Sequence, residues 1–196
     1  MDFSTWIRQL LPLPLSLSDL KHLLRRYKYK EFLRITVRDL AETGPFEETL
    51  EELSSLAVVL IRVALREVIR VVLGTQWQVQ WTFLVLGMGK LGGNKLTYHS
   101  DLDLIFPHSG TGCTSGPNEI EPQEYWIRIT QRLISILTAV IRTDHACKLD
   151  NRLRPSGNAG CWSLPSRATC TTTSPRNRGS IGCSSSGHFQ SVFNTQ

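Results

Sequence analysis

Residues 87–106 read GMGKLGGNKLTYHSDLDLIF and are the most informative segment of this 196-residue chain. A glycine-rich turn follows one apolar run and leads to Asp101 and Asp103, which are embedded in a second apolar run. Because side chains alternate along a strand, these two carboxylates are predicted to lie on one face. Neighbouring carboxylates repel each other unless a cation lies between them. Oxygen ligands of this kind suit Mg²⁺, which also binds phosphate oxygens, so the segment predicts a nucleotidyl-transfer site.

The glycine turn also permits a second interpretation, because residues 87–92 match the dinucleotide-binding pattern G-x-G-x-x-G. That pattern requires a helix directly after the glycines and an acidic residue about 20 positions further on. Residues 93–100 are poor in helix-forming residues, and Asp101 follows Gly92 by only nine positions. The P-loop pattern fails as well, since no Gly-Lys-Ser/Thr follows the turn. A dinucleotide-binding domain is therefore the weaker alternative.

The composition is that of one globular unit with an unusual C-terminal end. Apolar residues make up 41% of the sequence, which is enough for one core. Much of the net charge of +5 comes from residues 161–196, which hold three arginines and no Asp, Glu or Lys. The remainder has 19 basic and 17 acidic residues, or +2. No nucleic-acid partner is therefore expected.

Neither a membrane span nor a redox motif is predicted. Residues 56–73 are apolar, but they include four charged side chains, and charges at bilayer depth are costly. The start of the chain lacks a basic segment followed by an apolar core, so no signal peptide is expected. The five cysteines form no C-x-x-C pair, which argues against zinc and redox motifs. We expect a cytoplasmic protein with reduced thiols and no membrane partner.

Hydrophobic periodicity divides the chain into four parts. These are an irregular segment at 1–17, a helical lead-in at 18–80, the domain that carries the acids at 81–160, and a tail without fixed structure at 161–196. Helices are predicted from an N-cap at Ser18 to about 41, at 46–73 and at 122–142; strands at 81–86, 102–106 and 145–149; and a polar loop at 108–118. The composition of the tail also resembles translation in a wrong reading frame, which would leave the domain incomplete.

Three motifs carry a family resemblance: residues 87–93 (GMGKLGG), 100–106 (SDLDLIF) and 150–157 (DNRLRPSG). In order and spacing they resemble the adenylyltransferase and adenylyl-removing enzymes that act on glutamine synthetase, over about residues 18–160. That family belongs to the polymerase-β-like nucleotidyltransferases. The resemblance implies an α/β (α+β) fold, with a small mixed sheet of the nucleotidyltransferase type and N-terminal helices packed beside it.

The resemblance also implies roles for individual residues. By position, Asp101, Asp103 and Asp150 would be the catalytic acids and would hold two Mg²⁺ ions, with ATP, ADP and phosphate as substrates. Arginines near the third acid would bind phosphate, because a guanidinium group donates paired hydrogen bonds. The implied nucleotide- and phosphate-binding residues are Gly87, Gly89, Lys90, Gly92, Gly93, Ser100, Arg152 and Arg154.

For function, the resemblance implies removal of AMP by phosphorolysis from a tyrosine of glutamine synthetase, or its addition, in the regulation of nitrogen assimilation. Glutamine synthetase would be the protein partner, and the full-length family implies a nitrogen-signalling regulatory protein as a second one. Residues 87–90 and 108–116 resemble the adenylyl-removing half of the family more than the transferring half. The alternative is a truncated, inactive fragment that binds metal or nucleotide without turnover.

Overall fold

The computed structural model describes residues 16–73, 82–109, 121–139, 147–149, 163–165 and 190–194. Two long helices come first, α1 (Leu17–Leu40) and α2 (Phe46–Leu73). The remaining elements, in chain order, are β1 (Thr82–Gly87), the one-turn helix α3 (Gly89–Gly92), β2 (Leu104–Ser109), α4 (Pro122–Leu137), β3 (Ser163–Pro165) and β4 (Gln190–Asn194).

Local signals in the sequence determine where α1 begins and ends. The Oγ of Ser16 accepts a hydrogen bond of 3.1 Å from the backbone N–H of Asp19, and its hydroxyl donates to the Asp19 carboxylate. This reciprocal cap makes Ser16 the N-cap, so the prediction of Ser18, and of an irregular segment extending to residue 17, was wrong. Asp19 stands three positions after Ser16, which is the spacing that such a cap requires. Beyond Leu40 the chain turns at Glu42, whose φ is +51°.

The long helices pack against each other and against α4. The buried face of α2 is almost completely shielded from solvent, whereas Arg62 and Arg66 on the opposite face are exposed, as their four-residue spacing indicates. An Arg25 guanidinium N–H donates to the carbonyl oxygen of Ala139 at 2.8 Å and joins α1 to the chain just after α4. Among the described residues of α2, the apolar ones with no exposed surface are Ile61, Ala64, Leu65 and Val68.

The sheet has the strand order β3-β2-β1-β4. β1 is antiparallel to both β2 and β4, whereas β2 and β3 are parallel. One face packs against α4, where the Phe83 ring stacks on Trp126 with 4.5 Å between ring centroids and on Phe106 with 6.2 Å. A small mixed sheet with N-terminal helices beside it confirms the predicted fold class.

The element bounds differ from the predicted ones at several ends. β2 begins at Leu104 rather than 102, because β1 ends at Gly87 and residues before Leu104 have no β1 partner. It also includes His108, which was predicted to lie in a loop but pairs with Phe83. α4 ends at Leu137 rather than near 142, and the Thr138 N–H and hydroxyl both donate to the Ile134 carbonyl. Of the predicted strand at 145–149, the described part contributes one isolated bridge, at Leu149.

The prediction that residues 161–196 lack fixed structure was wrong for two short segments. Residues 163–165 form β3 and residues 190–194 form β4, at the two edges of the sheet. The open edges of β1 and β2 present unpaired backbone groups, so a strand can be added there without an amphipathic sequence pattern. The change of reading frame stays a prediction, and the rest of this tail lies outside the described residues.

Candidate active site

The site is built on the turn that joins β1 to the acidic segment. The N–H of Met88 donates to the backbone carbonyl of Asp103 at 2.9 Å, so the turn and the acidic segment lie side by side. At Gly89 the chain takes a left-handed conformation, with φ of +54°. The glycines do contain a helix, which was not expected, but α3 is a single turn and ends at Gly92. It lacks the length of the helix that a dinucleotide-binding turn requires.

Gly89 makes room for the Asp103 carboxylate. A Cβ atom at position 89 would lie 2.7 Å from the Oδ2 of Asp103, which is closer than such atoms pack. Only glycine combines a positive φ with this close approach at no steric cost. The turn therefore forms a recess that is shaped around a carboxylate oxygen.

Asp101 and Asp103 flank a buried leucine. Leu102 is 4% exposed, whereas both acids are partly exposed, so the acids lie on the side of the segment opposite Leu102. The N–H of Leu102 donates to the backbone carbonyl of Lys148 at 2.8 Å, and Leu102 forms a parallel bridge with Leu149. These contacts hold the acidic segment just before β2, between the glycine turn and residues 147–149.

The surroundings of Asp101 and Asp103 suit a hard cation. Oδ1 of Asp101 is buried and lacks a hydrogen-bond partner. The Nζ of Lys148 lies 3.1 Å away as an ion pair, without the angles of a hydrogen bond. A buried carboxylate oxygen without a hydrogen bond, beside a recess shaped for a second carboxylate, matches the donor set of Mg²⁺. Within the described residues no group of three His, Cys, Asp or Glu side chains forms a metal cluster.

The helical lead-in holds the loop that precedes the acids. The buried Oγ of Ser54 on α2 accepts a hydrogen bond of 3.1 Å from the N–H of Leu96. The Tyr98 hydroxyl donates to Asp39 on α1 at 3.0 Å, and burial, together with this bond, raises the pKa of that hydroxyl. Thr49 on α2 donates to the other Asp39 oxygen at 3.1 Å. Both long helices thus fix the loop that leads to Asp101.

A cavity of about 270 Å³ lies between the two long helices and this loop. Its apolar wall includes Leu53, Leu56 and Leu60 from α2. Three basic side chains and Asp101 also line it, and the basic ones are Lys28, His99 and Lys148. Apolar walls with a few polar groups are typical of small-molecule sites, and the charges of the two lysines favour an anionic ligand.

The predicted site residues fall into two groups. Those in 87–103 lie in the turn, the loop and the acidic segment, with Lys90 exposed. Ser100 has a local role, since its Oγ accepts a hydrogen bond of 3.0 Å from the N–H of Thr97. The predicted residues that lie outside the described part of the chain are Asp150, Arg152 and Arg154.

Sequence reasoning missed three side chains that the structure brings to the site. Lys148 pairs with Asp101, and its position two residues before the third motif could have indicated this. Asp39 and Ser54 support the loop from α1 and α2. Their contacts with the loop were not predicted, because they lie more than forty residues from the loop residues that they bind.

Comparison with known proteins places this arrangement in a family. The sequence profile of glutamate-ammonia ligase adenylyltransferase matches residues 5–171. The chain belongs to this family. The match extends beyond the predicted 18–160 at both ends.

Relatives named bifunctional glutamine synthetase adenylyltransferase/adenylyl-removing enzyme are similar to most of the chain. The protein of Bordetella pertussis is 33% identical over 162 residues, which cover 78% of this chain and 17% of the relative. The protein of Nitrosococcus oceani is 35% identical over 151 residues, or 73% of this chain and 16% of the relative. That of Shewanella oneidensis is 37% identical over 147 residues, or 71% and 15%. The chain thus spans less than a fifth of the length of these relatives. Among its described helices, none is both long and apolar enough to cross a bilayer.

Proposed function

We propose that this chain carries a nucleotidyltransferase site that removes AMP from a modified tyrosine of glutamine synthetase. The observation that supports this most is the pair of acids behind the glycine turn, with the Asp103 carboxylate in the recess at Gly89. The family profile covers this region, and the names of the relatives include both the adding and the removing activity.

In this proposal Asp101, Asp103 and Asp150 hold Mg²⁺, which when bound neutralises charge on the phosphoryl oxygens. Lys90 and the arginines at 152 and 154 bind phosphate oxygens through charge-assisted hydrogen bonds. The cavity beside Asp101 takes the nucleoside, because its apolar wall suits a base and its basic side chains suit phosphate. The protein contributes by positioning and by fixed charge, which are the main sources of catalysis in transfers of this type.

Removal is a substitution at phosphorus. An oxygen of inorganic phosphate attacks the phosphorus of the AMP–tyrosine diester, and the bond from phosphorus to the tyrosine oxygen breaks. ADP forms, and the tyrosine oxygen takes up a proton. Asp150 is suited to accept the proton of the attacking phosphate oxygen. Addition is the same substitution with the tyrosine oxygen as attacker, ATP as donor and pyrophosphate as leaving group, so one site serves either direction. The removing direction is preferred because residues 87–90 resemble that half of the family.

The test is to incubate the chain with AMP-modified glutamine synthetase, Mg²⁺ and phosphate and to measure release of ADP. The proposal predicts ADP release that depends on phosphate and is lost in Asp101→Asn. A matched control is Glu47→Gln, which changes an exposed carboxylate at the start of α2 and should leave the rate unchanged. If the chain instead consumes ATP and attaches AMP to unmodified glutamine synthetase, the proposed direction is wrong, but the reaction class, nucleotidyl transfer, is retained.

A second candidate is binding of metal and nucleotide without turnover. The relatives that carry the activity in their names are more than five times longer than the segment matched here. Binding of Mg²⁺ and nucleotide, measured by calorimetry, with neither ADP release nor ATP consumption would favour this candidate. A nitrogen-signalling regulatory protein is a proposed partner of the longer proteins.

A further inference from the structure

Lys148 forms an unusual ion pair with Asp101. Its Nζ lies 3.1 Å from the Oδ1 of Asp101, an oxygen that is buried and accepts no hydrogen bond. The Lys148 side chain is 68% exposed and that of Asp101 is 33% exposed. The ammonium group of Lys148 is therefore solvated, whereas the Asp101 oxygen with which it pairs is shielded from water.

The backbone fixes where this ammonium group can lie. The Lys148 carbonyl accepts a hydrogen bond of 2.8 Å from the N–H of Leu102, and Leu149 bridges to Leu102. Lys148 is thereby held beside Asp101 by the strand-like pairing of their neighbours. The Lys148 side chain is flexible, and its exposure leaves room in solvent for it to move.

We propose that Lys148 is a built-in counter-ion of the acidic site, which competes with a divalent cation for Asp101. This rests on the metal site of the proposed function. A divalent cation bound to Oδ1 would repel an ammonium group 3.1 Å from the same atom. Cation binding therefore requires Lys148 to leave. In the metal-free protein, Lys148 relieves the repulsion between the two carboxylates.

The counter-ion has two measurable consequences, one on stability and one on cation affinity. It stabilises the metal-free fold, and it lowers the affinity for the cation. Replacing it by methionine, which keeps an unbranched apolar chain but removes the charge, separates these effects. In Lys148→Met, the thermal unfolding temperature in EDTA should fall, while Mn²⁺ should bind about two- to fivefold more tightly, a factor in the range of an exposed ion pair.

The experiment measures Mn²⁺ binding to the full chain by calorimetry and by electron paramagnetic resonance, which require no catalytic turnover. Lys148→Arg keeps the charge and should bind Mn²⁺ like the wild type. Lys95→Met removes an exposed charge from the neighbouring loop and is the matched control for net charge. In the background of Asp101→Asn, the change Lys148→Met should no longer increase affinity, because the competition requires the Asp101 carboxylate.

The outcomes separate this inference from the proposed function. If Mn²⁺ binds and Asp101→Asn weakens it, but Lys148→Met leaves affinity unchanged or lowers it, the counter-ion is refuted and the metal site survives. An equal gain in Lys95→Met would also refute it, since the effect would then be one of net charge. If neither the wild type nor any variant binds Mn²⁺, both the counter-ion proposal and the proposed metal site are refuted.

Discussion

The hydroxyl of Ser54, in the first half of α2, makes two hydrogen bonds at once. It donates to the carbonyl of Leu50 one turn earlier at 2.8 Å and accepts the N–H of Leu96 at 3.1 Å. Ser54 is fully buried, and Leu96 is 4% exposed. A buried N–H needs an acceptor, since leaving one unpaired costs free energy comparable to a lost hydrogen bond. This one atom therefore connects the lead-in helix to the loop that ends at Asp101.

Ser54→Ala should destabilise the protein by about 1–3 kcal/mol, because the Leu96 N–H would be buried without an acceptor. Alanine favours helices slightly more than serine, which offsets a few tenths of this. Urea unfolding measures the loss, and hydrogen exchange at the Leu96 amide should become faster. Ser55→Ala, on the exposed side of the same turn, is the control and should change stability little. Equal stability of the two variants would show that the bond contributes nothing.

Gly89→Ala should lower both stability and cation affinity. The new Cβ would lie 2.7 Å from Asp103 Oδ2, and the residue would have to keep a φ of +54°. A left-handed conformation at a non-glycine residue costs on the order of 1–3 kcal/mol, and the contact would push the carboxylate out of its recess. Urea unfolding and Mn²⁺ calorimetry on the same samples measure the two effects.

The control for that variant is Gly44→Ala. Its Cβ would lie at a similar distance, 2.8 Å, from the Oε2 of Glu48, but its φ is not in the left-handed region. The Glu48 side chain is 51% exposed and can move aside. Gly44→Ala should therefore cost much less than Gly89→Ala and leave Mn²⁺ binding unchanged. Similar losses in both variants would mean that the recess at Gly89 has no special role.

Asp101→Asn and Asp103→Asn should each weaken Mn²⁺ binding by more than about tenfold, since affinity for a hard cation depends on the charge of its ligands. Without metal, the double variant loses both the repulsion between the two carboxylates and the ion pair of Asp101 with Lys148, so its stability should change little. Calorimetry measures binding, and far-ultraviolet circular dichroism checks the fold. Unchanged affinity in the double variant would contradict the proposed metal site at Asp101 and Asp103.

His108 should make the protein less stable in mild acid. It is 4% exposed, and its burial lowers the pKa of the imidazole. Because the folded pKa lies below the unfolded value of about 6.5, the unfolded chain takes up the proton first. Stability is therefore complete above about pH 6.5 and falls as the pH drops toward the folded pKa. Urea unfolding between about pH 7.5 and 5 should show a smaller fall in His108→Gln than in the wild type. His22→Gln, at an exposed position, should behave like the wild type.

The sequence allowed prediction of those features that depend on local pattern. The start of α2 was predicted at about Phe46, where the helix begins, because Gly44-Pro45 precedes it and its apolar positions recur at helical spacing. The small mixed sheet followed from the resemblance in residues 87–106. Strand ends were harder to predict. The start of β2 depends on its pairing with β1, which ends at Gly87, and the local sequence pattern does not show that pairing.

Features that depend on contacts between distant residues were not predicted. β3 and β4 have no strand pattern of their own and are added through the backbone at sheet edges. Asp39 and Ser54 look like ordinary helix residues in the sequence, yet each binds the loop before Asp101. The ion pair of Lys148 likewise depends on the Leu102–Leu149 bridge, which periodicity cannot reveal.

The anchoring of the loop to both long helices limits how far the protein can be truncated from its N-terminal side. A shortened protein that began at β1 would retain the glycine turn and the acids, but it would lack the acceptors for Leu96 and Tyr98. The Leu96 N–H and the Tyr98 hydroxyl would then bond to water, or the loop would change its conformation. Asp101 would lose the contacts that hold the residues before it. The smallest independently folding piece that keeps these anchors should therefore include both long helices, from Ser16 onward.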